Sequence, residues 1–152
     1  MIHIMCDLET MGNASDAAIV SIGAVCFQND MSGESALVGK EERHMFDPNQ
    51  IFRDEFYHTV DLQSCLDAGL SVTGSTIDWW LAQSEEARKA ITDIPRVSLE
   101  YALKIFSVFI GNISSRRTSK DVCLWSCGST FDNVILGNAY KKAGIAKPWS
   151  YS

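Results

Sequence analysis

Asp7 and Glu9 stand two residues apart in the run Ile2-His3-Ile4-Met5-Cys6-Asp7-Leu8-Glu9-Thr10. The run reads as a buried strand, and strand side chains alternate between faces, so the two acids share one side while Leu8 points to the other. At the carboxyl end of a central strand, where open α/β sheets put their ligands, two such carboxylates repel each other unless a cation lies between them. A hard, oxygen-liganded ion fits, either Mg²⁺ or Mn²⁺. On its own the pair reads equally well as a strand end with two solvated acids, so the rest of the chain must decide.

A third acid lies in Trp125-Ser126-Cys127-Gly128-Ser129-Thr130-Phe131-Asp132-Asn133. Asp132 falls in the first turn of a helix that follows a strand, where backbone amides and the helix dipole favour an anion. Taken singly it is an ordinary N-terminal helix residue. A chain order of strand, hairpin, strand, helices, strand and helix brings the two strand ends side by side, and three carboxylates then converge.

The elements that must position these acids follow from patterning. Strands are expected over Ile2–Thr10, over the β-branched run from Ala18 to Phe27 and over Glu55–Val60, with a short strand near His44-Met45-Phe46. Helical periodicity then covers Leu62–Ala68, Ser75–Ala82, Glu85–Ile91 capped by Ser84, and Leu99–Ile110 capped by Ser98. The apolar run Val122–Cys127 follows a crossover helix, which predicts a strand parallel to the first and inside the sheet. A last helix runs from Phe131 to about Ala143 and stops at Gly144. The fold class is α/β, a mixed sheet with three antiparallel strands followed by a parallel one, flanked by helices.

With 152 residues, 46% of them hydrophobic, the chain is long enough for one core and one domain spanning 1–152. A formal charge of −6 argues against a protein that coats nucleic acid through phosphate neutralisation, but not against a nuclease whose metals cancel charge locally. Arg116, Arg117 and Lys120, or Lys141, Lys142 and Lys147, offer basic groups, read first as a solvated loop and a helix C-terminus. Five cysteines, several inside apolar runs, indicate reduced thiols and a cytoplasmic setting. No stretch has membrane-spanning length, and no signal segment opens the chain. Trp79 and Trp80 cannot share a helix face, so core packing is the expected fate of both, with stacking on a nucleobase as the alternative.

Asp7-Leu8-Glu9-Thr10, Ile19-Val20-Ser21-Ile22-Gly23-Ala24, Trp79-Trp80-Leu81-Ala82-Gln83-Ser84 and Gly128-Ser129-Thr130-Phe131-Asp132-Asn133-Val134-Ile135-Leu136 together resemble the DnaQ-like 3′-5′ exonucleases of the DEDD superfamily. These have a ribonuclease H-like fold, and the resemblance is nearest to the branch of phage exonucleases and small bacterial exoribonucleases. It implies a two-metal phosphodiester hydrolase with Asp7 and Glu9 as the first motif and Asp132 as the second. It further implies a single-stranded DNA or RNA 3′ end as partner, with Thr10, Met11, Trp79, Trp80, Phe131 and Asn133 along the nucleic acid. The third motif of that family, a histidine followed five positions later by an aspartate, has no counterpart after the last helix. The expectation is therefore a domain lacking its C-terminal part and a weak enzyme. The alternative is an inactive remnant that binds metal or nucleic acid. The same gap predicts bare apolar surface beside Ile2, Ile4 and the last helix, a loose terminus at Trp149 and Tyr151, and self-association as a homodimer.

Overall fold

Alternation along the first strand is visible residue by residue in a computed structural model, which describes residues 1–27, 55–92, 95–115, 121–128 and 130–150. In β1 (Ile2–Thr10), Ile2, Ile4, Cys6 and Leu8 are buried, while Met5 and Asp7 are exposed. β2 (Ile19–Phe27) pairs antiparallel with β1, and β3 (Glu55–Thr59) antiparallel with β2. β4 (Val122–Ser126) lies parallel to β1 on its other side, so the sheet order is β3-β2-β1-β4. The acid-bearing strand is thus interior. β4 was expected there too, but among the described residues it closes the sheet, with only the Ser150 amide reaching its outer side, 3.0 Å from the Val122 carbonyl.

The helices are α1 (Leu62–Asp67), α2 (Gly74–Leu81), α3 (Glu85–Thr92), α4 (Leu99–Ser115) and α5 (Asp132–Lys142). The predicted caps form: Ser84 Oγ accepts the Ala87 amide and Ser98 Oγ accepts the Tyr101 amide. α4 runs five residues past its expected end at Ile110, because Ile113 continues the buried stripe of Leu99, Leu103, Phe106 and Ile110 and so outweighs the poor helix propensities of Gly111 and Asn112. Phe106 meets Phe56 of β3 with ring centroids 5.0 Å apart, which seats α4 on the sheet face carrying Ile2 and Ile4. α5 packs on β1 and β4 and is tied to α4 by the Tyr140 hydroxyl, which donates to the Leu103 carbonyl at 2.8 Å. The short strand near His44 lies outside the described residues.

Two expectations about the surface are corrected. Ile2 and Ile4 are covered by these helices, 2% and 0% exposed. The bare side chains belong to the opposite sheet face, where Met5, Tyr57 and Trp125 stand out. Trp149 is not loose: it is buried, edge-on to Tyr140 at 5.2 Å, because its indole fills space beside α5 that would otherwise expose that ring. Tyr151 lies outside the described residues.

Candidate active site

Three local features bring carboxylates to the end of β1. Asp7 and Glu9 project on the side away from the buried Leu8, opposite Gly23 and Ser21 of β2 in the register. β4 stops at Ser126, which pairs with Cys6, so β1 runs on without that neighbour. Asp132 fills the place: its carboxylate accepts the Leu8 amide from the backbone between Asp7 and Glu9. The turn that sets Asp132 there needs Gly128, whose φ of +117° an L side chain rarely adopts, and is closed by the Phe131 amide on the Gly128 carbonyl at 2.7 Å. Asn133 next to it donates from Nδ2 to the Leu124 carbonyl, 3.2 Å, pinning the start of α5 to β4.

The field of this cluster is negative. Burial first, then the charges of Asp7 and Asp132, raise the carboxyl of Glu9 above its ordinary value. Asp132 is raised in the same direction by burial and by Asp7, against the Leu8 amide, which lowers it. Under them the Cys6 thiol is pushed up to about 12 by burial and by both aspartates, which keeps it neutral and inert. Such a site is relieved by a cation.

All three candidate donors are carboxylate oxygens, which suits a hard divalent ion. Among the described residues, however, no three His, Cys, Asp or Glu side chains are gathered closely enough to hold a metal as they stand. Like charges keep carboxylates apart when nothing bridges them, and Asp132 is already engaged with an amide. The donor chemistry fits the ion; the ligand cage is not closed.

The other sequence candidates divide. Met11 and Trp80 are core residues, and Trp80 spends its indole N–H on the Thr10 carbonyl at 3.0 Å. Thr10 is half-buried with its hydroxyl donated to the Gly12 carbonyl, 2.8 Å. Phe131 packs partly against the core and Asn133 is buried, whereas Trp79 is 54% exposed. Among the described residues, neither His3 nor His58 contacts the acids. His3 Nδ1 accepts from the Trp125 indole at 2.9 Å, four residues back along β1 from Asp7, and His58 packs against Phe56. His44, Arg116, Arg117 and Lys120 lie outside the described residues. Sequence reasoning passed over Ser126, whose buried Oγ has no hydrogen-bond partner at the end of β4, level with Cys6 of β1. Only the β4 register against Cys6 makes that visible.

A family profile described as a 3′-5′ exoribonuclease Rv2179c-like domain matches residues 2–152. No curated protein matches the chain. Among solved structures, E. coli Exonuclease I, crystallised in complex with a 5cy-dA13 oligonucleotide, is similar with a TM-score of 0.51 and 14% identity. The match covers 99% of this chain and 26% of that one, so the chain spans about a quarter of its length. At that identity the likeness establishes the fold, an exonuclease-type, ribonuclease H-like α/β sheet.

Proposed function

The chain belongs to the 3′-5′ exoribonuclease Rv2179c-like family, and on that premise we propose that Asp7, Glu9 and Asp132 form a two-metal centre that hydrolyses the terminal phosphodiester of single-stranded RNA. The observation that carries this reading is the Asp132 carboxylate on the Leu8 amide, which ties the acid of α5 to the backbone of the residue between Asp7 and Glu9. When bound, Mg²⁺ or Mn²⁺ supplies an activated water and neutralises charge on the leaving 3′ oxygen.

The chain's own residues hold and orient. Asp7, Glu9 and Asp132 offer the oxygens for the ions. Glu9 keeps its direction because the turn after it is fixed twice, by the Thr10 carbonyl on Trp80 and by the Thr10 hydroxyl on Gly12. Gly23 opposite Asp7 leaves space above the strand, and a groove of about 640 Å³ opens there, bordered by Asp7, Met5, Val25 and Tyr57. Water adds to phosphorus, the 3′ oxygen of the preceding nucleotide leaves, and a nucleoside 5′-monophosphate is released.

A second reading, a protein that binds metal and RNA without cleaving, is favoured by one observation: neither His3 nor His58 stands beside the acids. Calorimetric titration of Mn²⁺ into the wild type and Asp7→Asn tests the metal site itself, and equal binding by both proteins removes it. Binding of Mn²⁺ and RNA with no nucleotide released supports the second reading. The proposal extends to self-association as a homodimer, a symmetric pair being its simplest closed form, with the acid-bearing groove left open to RNA. Sedimentation across micromolar concentrations checks this, and a single species of monomer mass throughout contradicts it.

A further inference from the structure

α5 begins without a capping side chain, because the residue before Asp132 is Phe131. Its first turn is held instead by two consecutive side chains that reach two adjacent strands. The Asp132 carboxylate takes the Leu8 amide of β1, and Asn133 donates from Nδ2 to the Leu124 carbonyl of β4 at 3.2 Å. Carbonyls two residues apart on a strand point to the same edge. The Val122 carbonyl meets the Ser150 amide on the outer side of the sheet, so the Leu124 carbonyl faces outward as well. Asn133 thus occupies the β4 edge where, among the described residues, no strand does. Successive helix positions lie roughly 100° apart around the axis, so one tether leaves the helix free to roll and the second stops it.

Stability alone does not account for an amide at this place. Asn133 is 8% exposed, and its Oδ1 is buried without a hydrogen-bond partner. The orientation of the amide is forced, since the reverse would set Oδ1 against the Leu124 oxygen. An unsatisfied buried oxygen disfavours the folded state. Leucine, branched at the same atom, would remove that oxygen and strand the Leu124 carbonyl in its stead, a near-even exchange. What leucine cannot supply is direction.

We infer that Asn133 is a positioning residue: by tying the first turn of α5 to β4 it fixes the roll of the helix and so aims Asp132. Its burial turns it toward the sheet and away from nucleic acid. The inference rests on the proposed function for the ion that Asp132 would meet, and not for the tie between helix and strand.

Hydrogen exchange at the Leu8 amide, followed by NMR on the full chain in EDTA, reads the aim of Asp132 with neither ion nor RNA present. Asn133→Leu is expected to speed that exchange about tenfold, while the Ile4 amide and the thermal transition stay as in the wild type. Mn²⁺ binding by calorimetry should weaken about tenfold, and cleavage should lose kcat with KM for RNA unchanged. Asn133→Ala, which cannot overfill the site, should act the same way at Leu8. Asn138→Ala removes an amide tie of the same kind from further along α5, the Nδ2 bond to the Ser15 carbonyl at 2.7 Å, and should match the wild type in every reading. Unchanged Leu8 exchange in both Asn133 variants, Leu8 and Ile4 accelerating together, or an equal effect of Asn138→Ala overturns the positioning role, whatever the chain does to RNA. Faster exchange confined to Leu8, in a protein whose wild type binds no Mn²⁺, keeps the positioning role and refutes the two-metal reading.

Discussion

Asp132 is buried with a negative neighbour, an arrangement that costs folding energy and that, on the proposed function, a cation would relieve. Asp132→Asn keeps an oxygen for the Leu8 amide while removing the charge. The expected outcome is at least about a hundredfold loss of nucleotide release with a transition temperature equal to or above the wild type, read by product analysis and scanning calorimetry. His58 supplies a separate residue-scale prediction. Burial lowers its proton affinity below the ordinary 6.5, so the unfolded chain binds its proton first. Stability on this account is complete above pH 6.5 and is lost as pH falls through 6.5 toward the lower folded value. Glu9 and Asp132, shifted upward, work in the opposite sense in acid, so the difference between wild type and His58→Phe isolates the histidine. That difference, followed by thermal melts from pH 7.5 to 5.5, should favour the variant increasingly as pH falls. At this scale the shared face of Asp7 and Glu9 was legible because a two-residue spacing is itself a statement about one strand face. The sequence did not disclose which tryptophan stays in water, since adjacent helix positions differ only in what packs on them.

The elements were legible where one period dominated. β1, β2 and α4 have apolar residues over long runs and each forms, β1 and α4 with the core face that their spacing predicts. Boundaries were less so: the end of α4 is set by Ile113 finding a buried place, a tertiary fact. The edge position of β4 was likewise invisible, because Val122 and Leu124 are buried by helices on one face whether or not a strand lies beyond. α2 shows how an element with little core of its own is held by polar contacts. Trp80→Phe removes the indole N–H and strands the Thr10 carbonyl, at a cost of about 1 kcal/mol. Chemical denaturation should read that loss, and because the turn after Glu9 loosens, kcat should fall more than KM rises. An unchanged kcat with the same stability loss would make Trp80 a packing residue only.

At the scale of the molecule, one sheet face is covered by α4 and α5 and the other bears the acids together with exposed Met5, Tyr57 and Trp125. The covered face supplies rigidity: Phe106, Leu103 and Tyr140 are essentially inaccessible, and Phe106→Ala should cost roughly 3–5 kcal/mol and lower cooperativity of unfolding. The open face supplies access. No helix of the described residues is long and apolar enough to cross a membrane. The proposed convergence of Asp7, Glu9 and Asp132 at the carboxyl end of the interior strand β1 is the claim on which the functional account turns. Its most direct measurement is electrophoresis of 5′-labelled single-stranded RNA incubated with the protein and Mn²⁺. The account predicts a ladder that shortens one nucleotide at a time from the 3′ end, releases nucleoside 5′-monophosphates, and disappears in Asp7→Asn and Asp132→Asn. Shortening that persists undiminished in both variants, or intact RNA with the wild type, would contradict it.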